Sequence, residues 1–177
     1  MIFTELRLPG AFTIDIEPLS DERGFFARTW SADELQTHGL STVVAQASIA
    51  FNTHRDTLRG LHYQEAPHAE VKLVRCSRGA LYDVIVDIRP GSATFGEWVG
   101  VELTAENRRT LYVPEGFAHG YQTLADDTEV WYQMSTAYAP GAARGIRFDD
   151  PRLAIDWPPA TGRIVSERDR GWPTLQA

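Results

Sequence analysis

The sequence predicts an all-β fold, a sandwich, jelly roll or barrel built from short strands. Three observations carry that prediction. From Val43 onward, eight short runs are rich in β-branched and aromatic residues: Val43–Phe51, Leu58–Gln64, Val71–Cys76, Ala80–Ile88, Glu97–Leu103, Thr110–Val113, Phe117–Leu124 and Thr128–Tyr138. Turn-forming pairs separate them, among them Arg78-Gly79, Pro90-Gly91, Glu106-Asn107, Asp126-Asp127 and Pro140-Gly141;. The clearest helix signal is confined to one stretch, Ser31–Gly39. Many short strands at close spacing are the signature of a sandwich or barrel.

Taken in order, the first thirty residues are short apolar runs broken by Pro9-Gly10 and Pro18. Ile2–Leu8 reads as a strand with little to pair with in its own barrel, an open edge that invites a second chain. Asp21-Glu22-Arg23-Gly24 reads as a turn before Phe25-Phe26. Ser31, followed three residues later by Glu34, forms a capping box, and Gly39 is placed to end a short surface helix. The β runs follow. The tail from Phe148 is rich in Pro and Asp, too irregular for a core strand, but Trp157 and Trp172 predict that it packs on the barrel.

The composition bounds the function. The chain has 177 residues, 43% of them hydrophobic and 23% charged, which suits one domain (1–177) with a sizeable core;. A net charge of −7 argues against a nucleic-acid partner, while a local arginine cluster would still serve an anionic small ligand;. The single cysteine, Cys76, excludes a disulfide framework and a cysteine-rich zinc site;. No apolar run approaches a membrane span, and the N-terminus lacks the basic and apolar regions of a signal peptide, so the expected location is the cytoplasm.

Period-2 alternation assigns side chains to faces. On Thr128–Tyr138, Tyr132 and Tyr138 share one side. On Phe117–Leu124, His119 lies with Phe117 and Tyr121. On Val71–Cys76, Lys72 lies with Val74 and Cys76, and a lysine on an apolar face suggests a cavity wall. On Leu58–Gln64, His62 lies with Gly60 and Gln64 while Arg59 points away, unless a bulge at Gly60 turns it round.

Candidate chemistry converges on Leu58-Arg59-Gly60-Leu61-His62-Tyr63-Gln64. His62 is a candidate general base, because imidazole titrates near neutral pH. Asp169 is a candidate to orient that imidazole, Lys72 to stabilise a developing oxyanion, and Tyr132 to act as an acid from another side. The simpler alternatives are a structural histidine, a solvated loop carboxylate at Asp169 and a core aromatic pair at Tyr132 and Tyr138. Arg23, Arg28 and Arg59 are candidate anion ligands, or solvated surface arginines. A metal site built from His62, Glu70 and His119 competes; Gln64 stands where a second ligand histidine would be needed, and Lys72 would repel a cation. Cys76 has no helix N-terminus or glycine elbow beside it and reads as core.

The chain resembles the dTDP-4-dehydrorhamnose 3,5-epimerase family of nucleotide-sugar enzymes. The likeness runs from about Phe12 to Pro173. It is carried by Asp21–Phe26, Leu58–Gln64, Lys72–Arg75, Asp83–Arg89, Val113–Gly120, Arg144–Ile146 and Ile155–Pro158. The resemblance implies a cupin-type jelly-roll β-barrel with a few short helices at its periphery, a homodimer, and catalysis without metal or cofactor. It implies His62 as base paired with Asp169, Tyr132 as acid, and Lys72 at the keto oxygen. It further implies a substrate-binding set of Arg23, Phe26, Gln46, Arg59, His119 and Tyr138, with Arg23 and Arg59 on the diphosphate. The substrate is then a nucleotide-linked 4-keto-6-deoxy sugar, inverted at C3, C5 or both through an enolate.

The sequence departs from the family's pattern at Arg28, Ser48, Gln133 and Ala143. These are binding positions rather than chemical ones, so the reaction type stands while the nucleotide and the sugar remain open. The alternatives are a single-centre epimerase or a 3,4-ketoisomerase, a metal-dependent cupin enzyme, and a non-catalytic sugar-nucleotide binding module.

Overall fold

The structure is a computed structural model and describes residues 1–176. Its strands are β1 (Ile2–Glu5), β2 (Phe12–Asp15), β3 (Leu19–Asp21), β4 (Gly24–Phe26), β5 (Gln46–Asn52), β6 (Thr57–Gln64) and β7 (Lys72–Arg78). They continue with β8 (Ala80–Asp87), β9 (Trp98–Thr104), β10 (Thr110–Val113), β11 (Phe117–Thr123), β12 (Thr128–Met134), β13 (Ala143–Gly145) and β14 (Ile164–Val165). Two short helices, α1 (Ala32–Thr37) and α2 (Glu167–Arg170), lie outside the sheets. All eight predicted strands are present.

Two six-stranded sheets pair their strands almost entirely antiparallel. One runs β1-β2-β10-β7-β12-β5. The other runs β13-β6-β11-β8-β9, with β14 added parallel to β6. Because side chains alternate along each strand, each sheet has an inner and an outer face. Val74, Cys76, Leu81, Ile85, Leu103, Phe117 and Val130 fill the shared interior. On the outer face of the second sheet, Leu58, Leu61, Val84 and Val86 are covered by Trp157 and Leu175 of the tail. Leu35 of α1 packs with Leu73 and Tyr112 behind the first sheet. The chain is thus a jelly-roll barrel with its helices at the periphery, as predicted.

Several local expectations need correction. Ile2–Glu5 does find a partner within its own barrel, pairing antiparallel with Phe12–Asp15, and its other side is the sheet edge. The capping box is half made: Ser31 Oγ accepts from the Glu34 N–H, but the Glu34 carboxylate turns instead to the Met1 amino group at 2.7 Å and to Arg28 at 2.7 Å. Val43 and Val44 lie exposed ahead of β5. β12 ends at Met134, so Tyr138 does not share a strand with Tyr132. The tail packs down as expected: the Trp157 indole N–H donates to the Phe148 carbonyl at 2.8 Å, and the ring is buried.

Candidate active site

The inner faces enclose a cavity of about 320 Å³. The second sheet contributes Arg59, His62 and His119; the first contributes Gln46, Lys72 and Tyr132. Tyr138 reaches the cavity from the loop after β12, where its backbone N–H donates to Gln46 Oε1 at 3.1 Å. Eight of the ten predicted site residues are therefore gathered here or, for Asp169, directly behind His62.

A bulge in β6 makes the arrangement possible. Along β11, His119 faces His62, but two residues on, Tyr121 faces Arg59, three residues back on β6. The extra residue puts Leu58 and Leu61 together on the outer core and turns both Arg59 and His62 inward;. Gly60 permits it. Its φ is +125°, and a Cβ there would meet the Gly120 Cα at 2.5 Å;. The Arg59 Nε–H then donates to Asn52 Oδ1 at 2.8 Å.

His62 Nε2 lies 2.6 Å from Asp169 Oδ1, which leaves Nδ1 as the ring's other nitrogen for chemistry;. Asp169 is only 4% exposed. It is set there by β14 pairing beside Thr57–Leu58 and by Ser166, whose Oγ accepts from the Asp169 N–H at 3.1 Å. Burial pushes the Asp169 carboxyl up, but hydrogen bonds and charge from His62, the Gly60 N–H and the Trp172 indole outweigh it and hold the group below its usual value;. The carboxylate is thus anionic and oriented against the imidazole.

On the facing wall, Lys72 is 9% exposed and its Nζ lies 3.1 Å from Glu70 Oε1. Lys72 is the only lysine; every other cationic residue among the 17 lysines and arginines is an arginine. Tyr132 has its phenol pKa raised well above the ordinary value, by burial first and then by the neighbouring Tyr121 phenol. It is therefore a neutral proton donor at physiological pH. Its ring meets His119 edge-on, with centroids 6.1 Å apart.

His119 rests on Asp83, with Nε2 2.8 Å from Oδ1. The approach is off the line of a straight hydrogen bond, and these atoms have no aligned partner among the described residues. Asp83 is fully buried, and that burial raises its carboxyl pKa against the opposing pull of His119 and Lys72. The competing metal set does not assemble. His62, Glu70 and His119 are each held by a separate partner, and no cluster of three His, Cys, Asp or Glu residues suited to a metal ion occurs among the described residues. Cys76 is core, its thiol pushed up to about 11 by burial.

Arg23 and Phe26 are not in this cavity. Both belong to the β3–β4 hairpin; the Arg23 side chain is 84% exposed and pairs with Asp21, and Phe26 is 73% exposed. Arg28 likewise lies outside, on Glu34. Three residues of the site were not singled out by the roles they hold here. Glu70 entered only as a metal ligand, although an acid two residues before the sole lysine is within reach of an ion pair with it. Asp83 shares a strand face with Leu81 and Ile85, an acid in otherwise apolar company. Arg168 lines the cavity and stacks on Trp172 at 5.2 Å, with no ion-pair partner among the described residues.

A carboxylate-oriented imidazole on one wall of a jelly roll, with a neutral phenol and an ammonium on the other, is an arrangement suited to acid/base chemistry on a carbon acid. The family model for dTDP-4-dehydrorhamnose 3,5-epimerase matches residues 5–177. A dTDP-4-dehydrorhamnose 3,5-epimerase from Methanothermobacter thermautotrophicus is 44% identical over 177 residues, covering 98% of this chain and 94% of the relative. Among solved structures, the dTDP-4-dehydrorhamnose 3,5-epimerase of Bacillus anthracis, with TDP and PPi bound, superposes with a TM-score of 0.94 at 38% identity, covering 98% of this chain and 99% of that one. A 3'-monoepimerase from Streptomyces bikiniensis in complex with dTDP-quinovose gives a TM-score of 0.89 at 37% identity, covering 96% and 86%. The chain belongs to the dTDP-4-dehydrorhamnose 3,5-epimerase family, and its reaction class is that of an isomerase.

Proposed function

We propose that this protein inverts C3 and C5 of a dTDP-linked 4-keto-6-deoxy sugar, from the 4-dehydro-6-deoxyglucose to the 4-dehydrorhamnose configuration. The observation that carries the reading is that His62 and Tyr132 project into one cavity from facing sheets. Inversion needs two groups on opposite sides of the carbon, because one group returning its own proton restores the starting configuration. The 4-keto group acidifies the C–H bonds beside it. His62 removes such a proton, with Asp169 stabilising the imidazolium. Lys72 meets the charge that develops on the keto oxygen, where a preorganised cation in a partly enclosed site counts for most. Tyr132 returns a proton from the other wall. Arg59 and Arg168, both without a carboxylate partner among the described residues, supply positive charge for the diphosphate;. No step of this scheme calls for a metal or a cofactor.

The protein acts in this reading as one cytoplasmic domain of 1–177 and as a homodimer. Support for the dimer comes from the exposed β3–β4 hairpin, with Leu19, Phe25 and Phe26, and from the exposed Ile49 and Phe51 on β5. A hairpin that carries Arg23 and Phe26 away from its own cavity is suited to reach that of a second copy. A light-scattering mass of one chain at micromolar concentration would reject this. Inversion at a single carbon is the second reading, favoured by the likeness to the monoepimerase and by Ser48 and Ala143 in the cavity wall.

The test uses dTDP-4-keto-6-deoxyglucose in deuterated water, with C3 and C5 followed by NMR. Wild type should exchange and invert at both; a single exchanging carbon selects the second reading. His62→Ala should abolish exchange and inversion together. Tyr132→Phe should retain exchange while inversion falls by about 10²–10⁴-fold. Equal loss of both in Tyr132→Phe overturns the two-wall assignment.

A further inference from the structure

We propose that Glu70 is a positioning residue that holds the Lys72 ammonium deep in the cavity, at the keto oxygen, against the pull of the substrate's diphosphate. The proposal rests on the reading of Lys72 given above and adds a residue to it.

The case begins with geometry. Glu70 and Lys72 have side chains each only 11% exposed, and Nζ lies 3.1 Å from Glu70 Oε1. The other carboxylate oxygen is also held: Gln64 Nε2 donates to Glu70 Oε2 at 3.1 Å. Gln64 is itself fixed by backbone, since its Oε1 accepts the Ala139 N–H at 2.6 Å and its Nε2 donates to the His68 carbonyl at 3.0 Å. The chain backbone–Gln64–Glu70–Lys72 therefore ends on an ammonium whose position is determined, although a lysine carries its charge on a flexible four-carbon stem and is by itself poorly placed.

Charge explains why such a hold is needed. The cavity's other cations, Arg59 and Arg168, are the groups assigned above to the diphosphate, and Arg144 is neutralised by Glu65 at 2.9 Å. A substrate bringing phosphate charge would draw a free lysine towards it, away from the ketone. A carboxylate bound to Lys72 and itself anchored to the backbone opposes that displacement. Asp83, the other acid near Lys72, is shared with His119 and cannot do so alone.

Because Lys72 is the only lysine in the sequence, the hold has its own readout. Reductive methylation with formaldehyde and cyanoborohydride, read by peptide mass mapping, reports the reactivity of Lys72 directly. In Glu70→Gln, which keeps shape and polarity, Lys72 should be methylated several-fold faster than in wild type. In the same variant kcat should fall about tenfold to hundredfold with KM unchanged or lower, the mark of a misplaced group rather than of lost binding. Glu70→Asp, which keeps the charge, should recover part of that loss. An unchanged methylation rate in Glu70→Gln overturns the hold whatever the kinetics. An unchanged kcat, or a raised KM with kcat intact, overturns its role in the reaction. Lys72→Met separates the two readings: if it keeps wild-type kcat, Lys72 is not the ketone's partner, while the methylation result still decides whether Glu70 holds it.

Discussion

Replacing Gly60 with alanine tests whether the β6 bulge holds the site together. Two costs add at this position. The φ of +125° is one that an L side chain rarely adopts, a strain of about 1–3 kcal/mol;. The added Cβ would also lie 2.5 Å from Gly120 Cα and 2.9 Å from the His119 carbonyl oxygen, both backbone atoms of β11 that cannot swing aside. Overpacking of this kind costs about 1–3 kcal/mol more. Gly24 supplies the control, with a φ of +129° and nothing within 4 Å of an added Cβ. Gly24→Ala should therefore show the strain alone. At roughly 2–4 °C per kcal/mol for a chain of this size, Gly24→Ala should lower Tm by about 2–12 °C and Gly60→Ala by about 4–24 °C. The catalytic consequence at Gly60 follows from the same opening. Opening β6 from β11 moves both Arg59 and His62, and a displacement of about 1 Å typically costs about 10²-fold in rate. Thermal unfolding by circular dichroism and solvent exchange at C3 and C5 measure the two effects. If Gly60→Ala and Gly24→Ala lose the same stability, or if Gly60→Ala keeps wild-type exchange, the bulge is not what aims these side chains.

Asp169 has a folded-state pKa below its unfolded value, so its contribution to stability is fully present above about pH 4 and is lost as pH falls through the folded value;. The stability gap between wild type and Asp169→Asn, measured by urea unfolding, should shrink as pH falls below about pH 4; a gap that persists undiminished to about pH 2 contradicts the assignment. The same variant should slow exchange and inversion alike, without the split expected of Tyr132→Phe. Cys76, buried and with its thiol pushed up to about 11, should resist iodoacetamide at about pH 8 in the folded protein and react once it is unfolded in guanidinium;. A strong chelator should leave the epimerisation rate unchanged; loss of activity that iron, manganese or zinc restores would reinstate the metal-dependent alternative.

The existence of the strands and the faces they present were legible in the residues, since both are local properties. Turn pairs bounded the runs to within a few residues, and period-2 alternation correctly put Lys72 on a cavity wall and His119 on one face with Phe117 and Tyr121. Asp169 was a candidate partner for His62 in the residues, but a solvated loop carboxylate was an equal alternative, because its place beside His62 depends on a chain segment 107 positions away docking along β6. Tertiary structure alone decided the rest. Arg59 should point away from His62 on a regular strand; it turns inward because pairing with β11 absorbs an extra residue at Gly60. Tyr138 reaches the cavity from a loop that alternation cannot describe. Asp83 is an ordinary acid in the sequence, and only closure of the barrel puts it, wholly buried, against His119. Arg23 and Phe26 share a hairpin in the sequence, and only the packed chain sets that hairpin outside the cavity. The physical reason is common to all four. Side-chain direction follows from backbone geometry one residue at a time, whereas the partner across a cavity is chosen by sheet pairing between segments distant in the chain.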